Sequence, residues 1–436
     1  MRRPRGVKTL VLLLAFGLLI GVGGGATYAA FFDTATNPGN SFDAANDLRP
    51  PQVTATVIEG GGGIVGSIRQ GGSYRAYANI TDLGSPPSGV ASATADLTNI
   101  TTGANAVALN TAGGPWVVGA TTYDYRTAAQ TADGSLSAGS KTYSITMTDN
   151  DGNSGTDGGF TVTVDNSGPT VTNTVIQKNE GGAGGYIRQG GVYRVYANLT
   201  DPTGVGTVTA DLTNITTGAG AVALTTAGGP FTVDGVSYTY RSGTQTANGS
   251  LSAGAKTYSI TATDGLGNSS TSNTGSVTVD NTVPAGSDYQ TANGGGTAGQ
   301  PEAGDTVTFT YSEPMEPESF LAGWTGASTG VTVQIQQNAG NDRLQVWNSG
   351  NTAALPFGTV VLGGNYIDGA NRNFTGSTMV MSGNSITVTL GTPSGTTLTV
   401  GAVTPVWTPS ATARDRAWNA ASTAAVTQVG APKVNF

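Results

Sequence analysis

The 436-residue chain has no cysteine and no histidine. Thiol nucleophiles, disulfides, Cys/His metal centres and a Ser-His-Asp triad are therefore excluded. The missing cysteine does not identify a compartment, because exported and cytosolic chains can both do without it. Charge is sparse: 11% of residues are Asp, Glu, Lys or Arg, with a formal net charge of −8. The first 29 residues carry four basic side chains and no acid, so without them the charge is −12. An acidic chain with scattered charges is a poor partner for nucleic acid. Beyond residue 25 there are no Leu/Glu/Lys/Ala-rich runs from which long helices are built. No Gly-Lys-Ser/Thr accompanies the glycines of "EGGGGIVGSIRQGG" (59–72), so this is no phosphate cradle, and it reads as a flexible loop before a strand.

Glycine is abundant instead, with 67 residues, alongside Thr, Ser, Ala and Asn. Hydrophobic residues still make up 37%, with 15 Tyr and 11 Phe, enough to fill cores. β-Branched and aromatic residues alternate with small polar ones. That pattern predicts an all-β chain with many turns.

The N-terminus opens with "MRRPRGVK", then 14 apolar residues, "TLVLLLAFGLLIGV", then Gly23–Gly25. A spanning helix needs about 20 apolar residues, whereas a leader needs about 7–15. Thr27 and Ala29 are small residues at the −3 and −1 positions of a cut between Ala29 and Ala30. The expectation is a signal peptide over 1–29, and the alternative is an uncleaved anchor running on to Ala30. "GGGATYAAFFDTATNPGNSFDAANDL" resembles the leader and mature start of camelysin/TasA-type exported proteins, which SipW-type signal peptidases process. The residues that carry the resemblance are Gly23–Gly25, Thr27, Tyr28, Ala29, Phe31 or Phe32, Asp33, Asn40, Phe42, Ala44 and Leu48. The chain has "AANDLRP" where that family has Gly-Thr-Leu-Asp-Leu. The resemblance implies export to the surface or extracellular space of a bacterial cell and carries no information on the activity of the domains beyond residue 50. Residues 30–50 form a mature extended segment. In it Phe42, Ala44 and Leu48 fall on one side, and Asp43 and Asp47 on the other. With Phe31 and Phe32 they make a candidate self-association strand that pairs with a sheet edge, its own or a neighbour's.

Internal repetition is the strongest signal. "IRQGGSYRAYANITD" (68–82) returns at 187–201, "ADLTNITTGANAVALNTAGGPW" (95–116) at 210–231, and "LSAGSKTYSITMTD" (136–149) at 251–264, each nearly unchanged. The offset is 119 residues early and 115 later, the size of a complete small β domain. In "KTYSITMTD" Tyr143, Ile145 and Met147 face one way, and Thr142, Ser144 and Thr146 the other. Such alternation predicts a sheet with one buried and one wet face. The endings "TATDGLGNSS…VTVDN" resemble bacterial immunoglobulin-like domains of large surface proteins, on Asp264, Gly267 and Asn268, with Asp149, Gly152 and Asn153 in the first repeat. In the last third, "AGDTVTFTYSEPM" (303–315) stands where "GGSYRAYANITD" would. "TARDRAWNAAS" (412–422) aligns Asp415 with Asp264 and Asn419 with Asn268. The expected architecture is three tandem immunoglobulin-like β-sandwiches: 51–168, 169–283 and a diverged, larger 284–436.

Four groups are candidates for chemistry. "TDNDGNSGTD" (148–157) spaces Asp149, Asp151, Asn153 and Asp157 like a calcium loop, but its glycine is off position and no Glu closes it, so it reads as a solvated turn. "SEPMEPES" (312–319) holds Glu313, Glu316 and Glu318, half of the chain's six glutamates. Paired carboxylates can hydrolyse glycosides, but two prolines make this a loop without an identifiable acid and nucleophile. Trp324, Trp347, Trp407 and Trp418 all lie in the third domain; exposed they would stack on sugars, buried they would fill a core. Asn-x-Ser/Thr occurs at Asn79, Asn99, Asn198, Asn214, Asn248, Asn268 and Asn373. No catalytic residue, cofactor or resident metal is expected. The reading is a secreted, non-enzymatic cell-surface or extracellular-matrix protein that acts as a structural, adhesive or fibre-building module. Its partners would be other surface or matrix proteins, itself, or glycans; membrane contact is through the leader alone, before cleavage. The alternatives are a carbohydrate-binding accessory protein reading through the third domain and, further off, an extracellular hydrolase. Nothing after residue 30 reads as a sortase-type motif or a second apolar span, so the expectation is that the protein is retained at the cell non-covalently or is released.

Overall fold

The computed structural model describes residues 47–429 and Phe436. The cleavage point at Ala29 and Ala30, and Phe31, Phe32 and Phe42, lie outside those residues. Among the described residues there is no α-helix, only strands and two short 3-10 turns, and no helix long and apolar enough to cross a membrane. The protein is all-β, with three immunoglobulin-like units in a row.

In the first unit, strands Gln52–Gly60, Ser73–Thr81, Tyr125–Thr127 and Val107–Asn110 form one sheet. Strands Val90–Asp96, Gly139–Asp149 and Ser154–Val164 form the other, and Val107–Asn110 also pairs with Val90–Asp96 (Thr94 opposite Ala108), so the two layers are joined in one continuous sheet path. The short stretch Ser67–Ile68 leaves the first sheet and runs parallel to Thr163–Val164 of the second. The second unit repeats this plan, with Tyr186–Ile187 parallel to Thr278–Val279. The predicted alternation is met: Tyr143, Ile145 and Met147 are buried, whereas Thr142 and Thr146 are exposed. Each of these two sandwiches has its own core, around Ile58, Ala76, Ile145 and Val162 in the first and around Ile176, Val195, Ile260 and Val277 in the second. A small hairpin, Trp116–Val118 with Thr121–Tyr123, packs its own apolar patch against Tyr77 outside the main core, and Phe231–Val233 with Val236–Tyr238 does the same against Tyr196.

The third unit is a single sheet path of nine strands from Gly286–Ala292 to Val426–Thr427. It curls until its first strand lies beside its last, where Gln290 donates to the Val429 carbonyl and Gly286 backs onto Trp407 and Val426. Val307, Phe309, Tyr311, Ile386, Val388 and Leu390 point into its core, as their spacing predicts. Trp324 and Trp407 belong to that core. Trp347 and Trp418 are half-buried.

One expectation is corrected, that of a free loop over 59–72, and the segment entering the first unit takes a definite place. At the end of the N-terminal segment Leu48 is 58% exposed and Asp47 is buried, on opposite sides as their spacing predicts. The reason Asp47 is buried is polar: its carboxylate accepts the Arg49 N–H, and its carbonyl accepts the Asn153 side-chain amide. The glycine-rich stretch 59–72 is no free loop. Glu59–Gly60 pair with Ile64–Val65, Ser67–Ile68 join the second sheet, and Gly62 and Gly63 supply the positive φ that the turn requires.

Candidate functional site

Several candidate residues converge at the entry end of each unit, which for the second and third units is where one unit meets the next. Each unit has a turn of the form Asp-x-x-x-Asn between its last two long segments. In the first, Asn153 donates from its backbone and side chain to the Asp149 carboxylate, and its side chain also donates to the Asp47 carbonyl at 2.6 Å. Asn268 does the same to Asp264 and to the Asp165 carbonyl at 2.9 Å. Asn419 does it to Asp415 and to the Asp280 carbonyl at 2.9 Å. The alignment of Asp415 and Asn419 with Asp264 and Asn268 is thus met atom for atom. A short turn reaches back and pins the chain segment that enters its own domain.

That pinning gathers three carboxylates at each entry: Asp47, Asp82 and Asp149; Asp165, Asp201 and Asp264; Asp280, Glu313 and Asp415. Within each group the oxygens lie within 4.8 Å of one another. One member ends the entering segment, one comes after the second long strand ("NITD", "NLTD", "TYSE"), and one opens the turn. The Thr203 hydroxyl lies 2.8–3.1 Å from all three carboxylates of the middle group. It has one proton and satisfies one of them at a time. All-carboxylate donors suit a hard divalent cation and no soft one, so among the described residues these nine are the ones that could hold a metal. The calcium loop considered over 148–157 does not assemble: Asp149 turns to Asp47 and Asp82, whereas Asp157 accepts a 2.7 Å hydrogen bond from the Val53 N–H.

The groups differ in electrostatics. Burial works to raise the Asp82 and Asp149 carboxyls, but N–H donors outweigh it and hold both below the usual carboxylate range. In the third group burial comes first, then the neighbouring Asp280 and Asp415, and Glu313 is pushed up to about 7. Its Oε1 atom is buried and has no hydrogen-bond partner. Asp415 is raised too, chiefly by burial. A carboxyl that binds its proton more tightly when folded stabilises the fold most when protonated in both states. The contribution of Glu313 is therefore complete below its ordinary value of 4.5 and is lost as pH rises towards 7. In metal-free buffer, the unfolding free energy of the third domain should fall over this interval. Glu313→Gln should flatten that slope, which urea titrations at several pH values would read. An unchanged slope in the variant would remove Glu313 as its source.

Across each joint, a loop of one domain meets the turn of the next. At the first joint, Gly60 lies against Leu266, Gly62 and Ile64 lie against Gly265, and Arg69 donates to the Gly267 carbonyl at 3.2 Å. A Cβ at Gly60 would fall 2.3 Å from the Ser67 carbonyl oxygen and 2.9 Å from Leu266, so glycine is required there. At the second joint the position equivalent to Gly60 is Lys178, and its Nζ lies 3.1 Å from Glu316 Oε2 with both side chains 3% exposed. Lys178 also lies 5.8 Å from the Trp418 ring centroid, and Arg416 sits over Tyr186. Glu313, Glu316 and Glu318 do not face one another across a cleft as a hydrolytic pair would. Glu313 sits in the carboxylate group, Glu316 is paired with Lys178, and Glu318 is exposed near Gly181. Open surface depressions lie between Ser167, Gly168, Asp201 and Pro202 beside the first joint and around Trp324.

The other candidate residues have structural work. Of the glycosylation-type asparagines, Asn79, Asn99, Asn198 and Asn214 each donate their side-chain amide to a backbone carbonyl of a neighbouring strand or turn. Trp407 and Trp324 are buried, and each donates its indole N–H to a carbonyl, Phe357 and Ala327 respectively.

No protein-family model matches the chain, and no curated protein does. Solved structures similar to it include a tetra-tandem repeat from the extending region of a large adhesion protein (17% identity, 83% of this chain and 71% of that one, TM-score 0.20). Others are the chicken CNTN1 FN1–FN3 domains (9%, 87% and 97%, TM-score 0.25) and a Ca2+-stabilised adhesin with which an Antarctic bacterium binds ice (16%, 76% and 71%, TM-score 0.22). At these TM-scores the likenesses carry no argument about what this chain binds.

Proposed function

We propose that the protein is exported and works outside the cell as a non-enzymatic adhesive or structural module, a short stack of immunoglobulin-like units. The observation that carries this reading is the joint itself. The same entry segment, the same pinning turn and the same three-carboxylate group are built three times, once at the entry of each unit, and two of the three stand where one unit is held to the next. The "GGGATYAA" leader supports export. The carbohydrate-binding alternative needs exposed aromatic platforms in the third domain, and its four tryptophans are buried or half-buried, which favours protein partners or self-association over glycans.

Residues 30–50, with Phe31, Phe32, Phe42 and Leu48, remain the proposed self-association segment. Light scattering of the mature chain against a version starting at Asn46, which keeps the pinned Asp47, tests it; equal monomeric scattering would end the idea. The function is tested by probing the secreted chain against arrays of glycans and of surface and matrix proteins, together with a screen for polysaccharide hydrolysis. Binding without hydrolysis is expected. Release of sugar by the pure protein would overturn the non-enzymatic reading.

A further inference from the structure

The two joints have one topology and different chemistry, and the difference is concentrated at one position. Where the first joint has Gly60 against Leu266, the second has Lys178 and Glu316. Around that pair three hydrogen bonds link the two domains' groups. Lys178 Nζ donates to Glu316 Oε2 at 3.1 Å and to the Ala183 carbonyl at 2.9 Å, and the Ala183 N–H donates to Glu316 Oε2 at 2.8 Å. The bonds form a closed ring that starts and ends in the second domain and passes through a carboxylate of the third. Both ends are braced. Lys178 ends a strand in register with Tyr193. Glu316 is fixed by its N–H on the Arg414 carbonyl and by Ser319, whose hydroxyl sits 2.7 Å from the Glu316 carbonyl. The loop 181–184 fits closely: a Cβ at Gly182 would fall 2.5 Å from the Glu316 carboxylate, and its φ of +74° already restricts it to glycine.

A buried pair of this kind is weak evidence for stability, since desolvation offsets much of the attraction. Its bonds are directional, however, and leaving either charge unpaired is costly, so only one relative placement of the two domains satisfies both. Apolar contact such as Gly60 on Leu266 has no such requirement. We infer that Lys178–Glu316 is an orientation lock, which fixes the third domain at one angle to the second, and that contact area alone does not set that angle. This holds whatever the domains bind.

The absence of cysteine makes the test direct, because paired spin labels can be placed on the full chain without background thiols. Thr226→Cys with Ser349→Cys spans the second joint, and Thr111→Cys with Thr226→Cys spans the first; all three positions are exposed. Pulsed electron-spin distance measurements should give one narrow distribution across the second joint. Glu316→Gln and Lys178→Met should each broaden it at least twofold and leave the first joint unchanged. The double variant Lys178→Met/Glu316→Leu removes both charges, so it avoids an unpaired one and should melt like the parent while the distribution stays broad. A narrow distribution in the single variants would overturn the lock. So would narrowness restored in the double variant, which would show that packing alone sets the angle.

Discussion

Replacing Trp407 with alanine is expected to destabilise the third domain by about 3–5 kcal/mol, the range for deleting a large aromatic from a core. Trp407 is 0% exposed and packs edge-on against Phe309 and Tyr311, with ring centroids 5.2 and 5.0 Å away. Its indole N–H is bonded to the Phe357 carbonyl at 2.7 Å, so alanine leaves both a cavity and an orphaned acceptor. For a domain of this size that corresponds to a fall of roughly 10 °C in its melting transition. The three main cores are separate clusters. Calorimetry should therefore show one component moving while the other two stay in place. A common shift of all transitions would mean that the units do not unfold independently.

The second large effect is expected at Asp342, which is fully buried in the third domain. Its carboxylate accepts the N–H groups of Tyr366 at 2.7 Å, Ile367 at 2.9 Å and Asn338 at 3.2 Å, and so ties together the two loops that run on from the paired strands at Arg343 and Val361. Asp342→Ala strands these donors, two of them among buried residues, at about 1–3 kcal/mol for each that finds no water. A net loss of about 3 kcal/mol is expected, with Asp342→Asn losing less because an amide oxygen still accepts. Denaturant titration followed by tryptophan fluorescence reads this domain selectively, since four of the five tryptophans lie in it. A loss under about 0.5 kcal/mol in the alanine variant, the scale of an ordinary surface substitution, would show that the loops are held by other means.

The sandwiches were legible because their strands obey the two-residue period and because the duplication marks their length. The third unit was legible through two short stretches: Val307, Phe309 and Tyr311 on one face, and the Asp415/Asn419 turn. What could not be read was convergence. Asp165, Asp201 and Asp264 stand in three ordinary-looking turns spread over roughly a hundred residues, and each read alone is a solvated Asp. The signal that they act together is positional: "VDN", "TD" and Asp-x-x-x-Asn recur at matching places in the repeats, and Glu313 and Asp415 keep that pattern where the surrounding sequence does not. Glu316 misled for the same reason. A carboxylate between prolines reads as an exposed loop until the lysine of another domain is set beside it.

The central claim, an exported module acting outside the cell, is tested most directly where the protein is made. Antibodies against the third domain, applied to intact producing cells and to their medium, should label the cell exterior or detect a released chain that begins at Ala30. Signal that appears only after the cells are permeabilised, on a chain still carrying Arg2–Lys8, would contradict it.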